Sequence, residues 1–242
     1  MIANMFWSQS DLSKVEIMCI NSFIANGYDV HLWTYGDVGN IPEQVTKRDA
    51  NEIFTKDKIF KTKGSVATFA DLFRLKLLNT LGGLWVDADI IALKPEHQLP
   101  PYPFLVSEDT WHGSHRPDLP YTITNNVIHN PLPLKGNVID LAYHYAERFP
   151  KDKVVWAEIG PMLLHNIVDI YPQHGFKVYE PYFANSIKAG DVIQAFTTDT
   201  KIDEYAHFLH FYNDIWRREN TDKNAIVAPN GSLLNTLFNM YL

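Results

Sequence analysis

The stretch LGGLWVDADI, residues 81–90, combines two glycines, a tryptophan and two aspartates, and apolar residues continue directly after it. This pattern predicts one buried strand over residues 85–93, in which Asp87 and Asp89 lie two positions apart and share a face. Two carboxylates on one side of a buried strand repel each other and lose solvation. A compensating cation would stabilise them, and oxygen ligands suit Mg²⁺ or Mn²⁺. A strand tip that reaches water, or pairing with arginine and lysine, explains the two aspartates taken alone equally well.

Length and composition favour one folded domain. The chain has 242 residues, of which 46% are hydrophobic and 20% charged, so a large core is expected rather than disorder. The net charge is −7 and basic residues form no long run, which argues against a nucleic acid as the partner. Cys19 is the single cysteine, which excludes an intramolecular disulfide and a cysteine-based zinc site.

No part of the sequence resembles a signal peptide, and no window approaches the ~20 apolar residues of a membrane-spanning helix. We therefore expect a cytoplasmic protein without a transmembrane segment. Residues 232–242 form an amphipathic pattern that either packs on the domain or contacts a partner or membrane surface. Peripheral contact with the inner face of a membrane stays open for this reason.

Strand and helix patterns alternate along the chain, which predicts an α/β domain with a mixed, mostly parallel central sheet flanked by helices. Ligands of such sheets gather at the carboxyl ends of the strands. The expected strands are residues 2–7, 29–35, 85–93, 101–106, 121–128 and 176–179, and the expected helices are residues 11–26, 66–81, 138–148, 159–171 and 232–242.

The helix before the two glycines carries a charged pair within an apolar surrounding. Asp71 and Arg74 are three residues apart, so they are neighbours on one helix face. A buried charged pair is costly unless each partner is well satisfied. The pair is therefore either a structural ion pair or part of a polar cleft. In a cleft, Asp71 would accept hydrogen bonds from hydroxyls and Arg74 would neutralise phosphate or orient a sugar.

Together these features form the block FADLFRLKLLNTLGGLWVDADII, residues 69–91. The block resembles the signature of D-x-D glycosyltransferases of the Rossmann-like GT-A fold. It is similar in particular to the family of initiating mannosyltransferases, α-1,4-galactosyltransferases and bacterial capsular-polysaccharide sugar transferases, and to the catalytic domains of clostridial glucosylating toxins. Those families carry an Asp-x-x-Arg helix, a Gly-Gly turn and an aromatic strand that ends in D-x-D. The matching residues here are Asp71, Arg74, Gly82, Gly83, Trp85, Asp87 and Asp89.

The resemblance implies a single catalytic domain over residues 1–242. About residues 1–95 would bind the nucleotide sugar. About residues 96–242 would bind the acceptor and supply a C-terminal segment that closes over metal and donor. The implied enzyme is a metal-dependent, retaining hexosyltransferase that uses a nucleotide sugar, with UDP favoured over GDP. Its partners would be the donor and a glycan, polysaccharide or glycolipid acceptor.

Fainter similarities to the same families implicate further residues. An aromatic residue that stacks on the nucleotide base is matched by Phe6 or Trp7, and the stretch TITNNVIHN, residues 122–130, matches a segment near donor and acceptor at Asn125 and Asn126. The stretch HFLHFYNDIW, residues 207–216, matches a C-terminal histidine and tryptophan. The expected nucleotide-sugar contacts are Phe6, Trp7, Thr34, Tyr35, Asp71, Arg74, Asp87 and Trp216.

The metal, Mn²⁺ or Mg²⁺, is expected on Asp87, Asp89 and His210, with His207 as an alternative to His210. It would stabilise the diphosphate leaving group as the glycosidic bond breaks. We expect front-face substitution without a protein nucleophile, although Glu108, Asp109 and Glu158 lie in segments that could border the site. The residues expected to take part in catalysis are Asp71, Arg74, Asp87, Asp89 and Asn126.

Two other functions remain as alternatives. A D-x-D pair could hold metal for phosphoryl transfer, as in a metal-dependent phosphohydrolase. The chain could also be a non-catalytic domain that binds nucleotides or carbohydrates, although Asp71, Arg74, Asp87 and Asp89 are all present.

Overall fold

The computed structural model describes residues 1–8, 11–109 and 121–242. Its strands are β1 (Ile2–Trp7), β2 (Asp29–Thr34), β3 (Thr46–Asp49), β4 (Gly83–Val86), β5 (Ile90–Ala92), β6 (Phe104–Asp109), β7 (Tyr121–Asn130), β8 (Lys177–Tyr179) and β9 (Phe208–His210). Its α-helices are α1 (Lys14–Ala25), α2 (Ala67–Leu81), α3 (Val138–Arg148), α4 (Pro161–Ile170), α5 (Val192–Thr197), α6 (Asn213–Arg218) and α7 (Leu233–Tyr241). Short 3₁₀ helices lie at Ala50–Glu52, Lys56–Lys58, Glu96–Gln98, Pro181–Phe183 and Ala189–Asp191.

Seven strands form the central sheet in the order β3-β2-β1-β4-β7-β6-β8. Neighbours pair in parallel except at β7, which runs antiparallel to both β4 and β6. Strands β5 and β9 form a separate antiparallel pair. The prediction of a mixed, mostly parallel sheet flanked by helices is confirmed.

Apolar side chains fill both faces of the central sheet. Helices α2, α3 and α4 pack on one face, where Phe69, Phe73 and Leu77 are completely buried. A second cluster covers the other face beside α1, and a third lies beneath the C-terminal helices. Within the described ranges, no helix combines the length and apolar character that crossing a bilayer requires.

The two glycines make the sharp return from α2 into β4. Gly82 and Gly83 have φ angles of 69° and 95°, which L side chains rarely adopt. A Cβ on Gly82 would also lie 2.9 Å from the carbonyl oxygen of Asn130. This turn places β4 between β1 and β7, in the middle of the sheet.

The prediction of one strand over residues 85–93 is wrong. Strand β4 ends at Val86, and β5 begins at Ile90 in the other sheet. The intervening residues form a turn, closed by a hydrogen bond from the amide of Ile90 to the carbonyl of Asp87 at 3.1 Å. Asp87 and Asp89 therefore do not share a strand face. Because residues on both sides of the turn are completely buried, the apolar pattern contains no sign of the break.

Several elements were not expected from the sequence. They are β3, β9, α5 and α6, all of six residues or fewer. Conversely, the helix expected over residues 11–26 begins only at Lys14, where Ser13 and Glu16 form a capping box. Short elements contain too few turns or alternations to produce a readable period.

Candidate active site

Polar side chains from four elements meet at the end of β4. Asp87 follows this strand directly, and Asp89 lies two residues further along the same turn. Helix α2 contributes Arg74, the middle of β7 contributes Asn126, and β9 ends at His210. The carboxyl end of a strand in the middle of an α/β sheet is where ligands usually bind.

Arg74 connects the D-x-x-R motif of α2 with the D-x-D motif that follows β4. Its Nη1 lies 3.1 Å from Oδ1 of Asp87, and its Nη2 lies 3.3 Å from Oδ1 of Asp71. The guanidinium also donates to the carbonyl of Asn125 and lies over the ring of Trp85, 5.0 Å from its centroid. Only 5% of the Arg74 side chain is exposed, so one buried cation is shared between two carboxylates.

Asp71 is also held by Asn125, on the same carboxylate oxygen that Arg74 contacts. Its Oδ1 accepts a hydrogen bond from Nδ2 of Asn125 at 2.8 Å. Gly160, the residue before α4, approaches so closely that a Cβ there would lie 2.6 Å from Cγ of Asp71 and 2.7 Å from Nδ2 of Asn125. Burial, with a smaller contribution from Asp87, raises the pKa of Asp71 to about 6 although Arg74 and Asn125 act in the opposite direction.

Asp87 is the more accessible aspartate of the D-x-D turn, with 27% of its side chain exposed. Its Oδ1 accepts a hydrogen bond from the indole nitrogen of Trp85 at 2.9 Å. Burial and the nearby charge of Asp89 raise the pKa of Asp87, and the opposing effect of Arg74 is smaller. The turn is anchored to β7 by the amide of Asp87, which donates to the carbonyl of Asn126 at 2.8 Å.

Asp89 faces the C-terminal segment instead of Arg74. Its Oδ2 accepts from the amide of Asn213 at 2.8 Å and lies 3.5 Å from Nε2 of His210. Burial alone would raise the pKa of Asp89, but His210 and Asn213 together lower it. Burial likewise opposes protonation of His210, yet the carboxylate of Asp89 raises its pKa. The two aspartates thus have pKa values displaced in opposite directions.

A buried asparagine that sequence reasoning missed holds His210 in place. Oδ1 of Asn185 accepts from Nδ2 of Asn126 at 2.7 Å and lies 3.1 Å from Nδ1 of His210. Nδ2 of Asn185 donates to the carbonyl of Ser107 at 3.0 Å. With Nδ1 carrying a proton toward Asn185, Nε2 of His210 is the ring atom that faces Asp89. The fragment FANSI, residues 183–187, has no motif or period that could have revealed this role.

The chemistry of Asp89 and His210 fits a divalent cation, and Oδ1 of Asp89 makes no hydrogen bond to a described residue. Among the residues that the structure describes, however, no three acidic, histidine or cysteine side chains are gathered closely enough to hold a metal ion. Asp87 contacts Arg74 and Trp85 instead. His207 is turned away from the site, since its ring stacks on Phe183 with centroids 4.4 Å apart.

Four of the residues expected to contact the nucleotide sugar lie at the carboxyl ends of β1 and β2, where Trp7 pairs with Thr34. They are Phe6, Trp7, Thr34 and Tyr35. Phe6 stacks on Phe73 with ring centroids 4.5 Å apart, and the hydroxyl of Tyr35 donates to the carbonyl of Phe54 at 2.7 Å. Trp7 points to the opposite face, and its buried indole nitrogen has no partner among the described residues. This leaves Trp7 as the aromatic with an unused polar atom.

Trp216 is a core residue in this structure. Its ring stacks on Phe211, with centroids 4.8 Å apart, and its indole nitrogen donates to the carbonyl of Phe211 at 2.9 Å. The side chain therefore packs on, and donates to, the residue next to His210. The acidic residues considered at the border each have a partner within the protein. Asp109 lies 3.2 Å from Lys188, Glu158 accepts from the amide of Val155 at 2.8 Å, and Glu108 lies 3.4 Å from the hydroxyl of Tyr212.

Comparison with known proteins finds one family model and several solved structures that are similar to this chain. A family model described as "Capsular polysaccharide synthesis protein" matches residues 24–103, about a third of the chain. Among solved structures, an active-site mutant of LgtC is similar with a TM-score of 0.51 and 11% identity, over 88% of each chain. No curated protein matches the sequence.

Two further structures are similar at lower scores. PaToxG glycosyltransferase has a TM-score of 0.49 and 16% identity, over 71% of this chain and 69% of that protein. The bifunctional glycosyltransferase WbbM has a TM-score of 0.49 and 10% identity, over 87% of this chain and 45% of that protein. The sheet order and the likeness to LgtC together identify the fold as the GT-A type.

Proposed function

We propose that this protein is a metal-dependent, retaining glycosyltransferase that moves a hexose from a nucleotide sugar to a glycan, polysaccharide or glycolipid acceptor. A UDP-sugar is the favoured donor. The observation that carries the proposal is the sharing of one buried guanidinium, Arg74, between Asp71 and Asp87 at the end of β4. A D-x-x-R helix and a D-x-D turn that meet at this edge of a GT-A sheet are well placed for a sugar diphosphate.

The buried carboxylates suit recognition of sugar hydroxyls. Asp71 and Asp87 each keep oxygen atoms beside a fixed cation, so they can accept hydrogen bonds in a site of low polarity. Because Arg74 already contacts both carboxylates and a backbone carbonyl, we assign it the role of holding them in place. Asn126 would border the reacting sugar and is itself oriented by Thr124, whose hydroxyl donates to it at 2.7 Å.

Asp89 and His210 would hold Mn²⁺ or Mg²⁺, and Asp87 would join them on leaving its contacts with Arg74 and Trp85. When bound, the ion would supply positive charge to the departing diphosphate. The protein's own part is to keep Asp89 and His210 adjacent through Asn185 and Asn213. No carboxylate is assigned as a nucleophile, in keeping with front-face substitution and retention of configuration.

The test is incubation with a panel of UDP- and GDP-sugars, with Mn²⁺, with Mg²⁺ and with a chelator. Metal-dependent donor hydrolysis or transfer is expected, and NMR of the product should show the anomeric configuration of the donor. Inversion would refute the retaining mechanism. Phosphate release from simple monoesters would instead indicate a phosphohydrolase, and saturable binding without turnover would indicate a binding domain.

A further inference from the structure

Helix α1 buries the carboxylate of Glu16 completely. This residue lies in the first turn of the helix, and none of its side chain is exposed. A buried carboxylate is costly unless its oxygens have partners, and both oxygens of Glu16 have them. Oε2 accepts from the backbone amide of Ser13 at 2.9 Å and from the Ser13 hydroxyl at 2.5 Å. Oε1 accepts from Nδ2 of Asn213 at 2.8 Å and pairs with the ammonium group of Lys223.

Capping of α1 accounts for only one of these two oxygens. The contacts of Oε2 are those of a capping box, which is a local feature of the helix start. The contacts of Oε1 come from Asn213 and Lys223, which are 197 and 207 positions away in the sequence. Glutamine would complete the same capping box, but its single amide oxygen could not accept from both sides. The second oxygen of Glu16 therefore attaches the C-terminal segment to α1.

Asn213 joins Glu16 to the D-x-D turn through two different donors. Its side-chain amide donates to Glu16, and its backbone amide donates to Oδ2 of Asp89, each at 2.8 Å. Nε2 of His210 lies 3.5 Å from the same Oδ2. Both contacts therefore engage Oδ2 of Asp89, and Oδ1 is the oxygen that is left to bind a cation.

Two unfavourable features accompany the position of Asn213. Its Oδ1 is buried and has no hydrogen-bond partner among the described residues, which lowers stability. The preceding residue, Tyr212, has left-handed backbone angles of φ 57° and ψ 59°, which a residue other than glycine adopts only where its surroundings impose them. Local strain of this kind is concentrated at functional sites.

We propose that Glu16 is a positioning residue for Asp89. Through Asn213 it holds the backbone amide that fixes Oδ2 of Asp89, so that Oδ1 keeps the orientation in which it binds the divalent cation. Removal of a group that orients a metal ligand typically weakens metal binding by roughly 10–100-fold. The inference rests on the proposed function, because the cation on Asp89 is part of that function.

Binding of Mn²⁺ tests the proposal without requiring catalysis. The protein is titrated with Mn²⁺, alone and with UDP, and the free ion is measured by EPR. Glu16→Ala and Asn213→Ala should each weaken Mn²⁺ binding about tenfold or more. Ser13→Ala is the matched control, because it removes a cap of α1 but leaves Oε1 of Glu16 in contact with Asn213. It should lower thermal stability and keep the Mn²⁺ affinity within about twofold of wild type.

A double-mutant cycle shows whether Glu16 and Asn213 act as one unit. If Glu16 acts through Asn213, the double variant should bind Mn²⁺ at most about twofold more weakly than either single variant. If Glu16→Ala does not fold, Asn213→Ala decides, since it leaves the capping box intact.

The outcomes separate this inference from the proposed function. Unchanged Mn²⁺ affinity in either single variant, additive losses in the double variant, or an equal loss in Ser13→Ala would each overturn the positioning role and leave Glu16 as a helix cap. Mn²⁺ binding that depends on Glu16, in a wild-type protein that turns over no nucleotide sugar, would refute the transferase alone. Absence of Mn²⁺ binding by the wild type, with and without UDP, would overturn both.

Discussion

Asp71 and Asp87, sixteen residues apart in sequence, contact the same guanidinium at distances of 3.3 Å and 3.1 Å. Arg74 thus joins helix α2 to the end of β4 by ion pairs, although Gly82 and Gly83 separate the two elements in the sequence. The motif that is most recognisable in the sequence is therefore also a structural connection. Its substitution should affect both stability and activity.

Arg74→Ala should lower the free energy of unfolding by about 3–5 kcal/mol, because it leaves two largely buried carboxylates without their cation. Arg74→Lys is the control, since it keeps the charge but cannot contact both partners with a planar fork, and its loss should be smaller. Urea denaturation monitored by circular dichroism measures both. A loss below about 1 kcal/mol for Arg74→Ala would mean that water replaces the guanidinium.

Asp89→Asn should reduce metal-dependent turnover by about 100-fold or more while leaving the protein folded. It should also lower the pKa of His210, because the carboxylate of Asp89 is what raises it. Initial rates and an NMR titration of the imidazole measure the two effects. Asp37→Asn provides the control, as Asp37 is fully exposed. Turnover within a few-fold of wild type would remove Asp89 from the proposed metal site.

Gly160→Ala should destabilise the protein by about 1–3 kcal/mol, because its Cβ would overlap the side chains of Asp71 and Asn125. The hydrogen bond between those side chains should weaken, and activity should fall with it. Gly190→Ala is a matched control, since nothing lies within 4 Å of a Cβ there. Its stability should stay within about 0.5 kcal/mol of wild type in the same denaturation assay. Equal effects of the two substitutions would contradict the close packing at Gly160.

Asp71 should make stability fall with rising pH over a defined window. Its pKa is about 6 in the folded protein against an ordinary value of 3.8, so the folded state binds more protons than the unfolded state between these pH values. The free energy of unfolding should therefore fall by about 3 kcal/mol as the pH rises from about 4 to about 6. Asp71→Asn cannot ionise and should lack this loss. The measurement is the difference in unfolding free energy between wild type and variant across that range, and a constant difference would contradict the raised pKa.

Local sequence determined much of the scaffold. The apolar positions along α2 predict its buried face, and the glycines after it predict the turn because only they tolerate positive φ at low cost. The capping box at Ser13 and Glu16 is likewise a property of neighbouring residues. Each of these features depends on groups within a few residues of one another.

The tertiary structure decided how the site is assembled. Whether the chain continues as a strand after Val86 or turns at Asp87 depends on two distant partners. Asn126 lies 39 residues after Asp87, and strand β9 lies more than a hundred residues further along. The roles of Asn185 and Gly160 arise only because β6, β7 and α4 bring them to His210 and Asp71. Hydrophobic period and propensity describe one segment at a time, whereas contacts between distant segments follow from packing the whole core. The sequence thus indicated that Asp71, Asp87 and Asp89 are unusual carboxylates. Packing of the whole chain determined which partner each of them contacts.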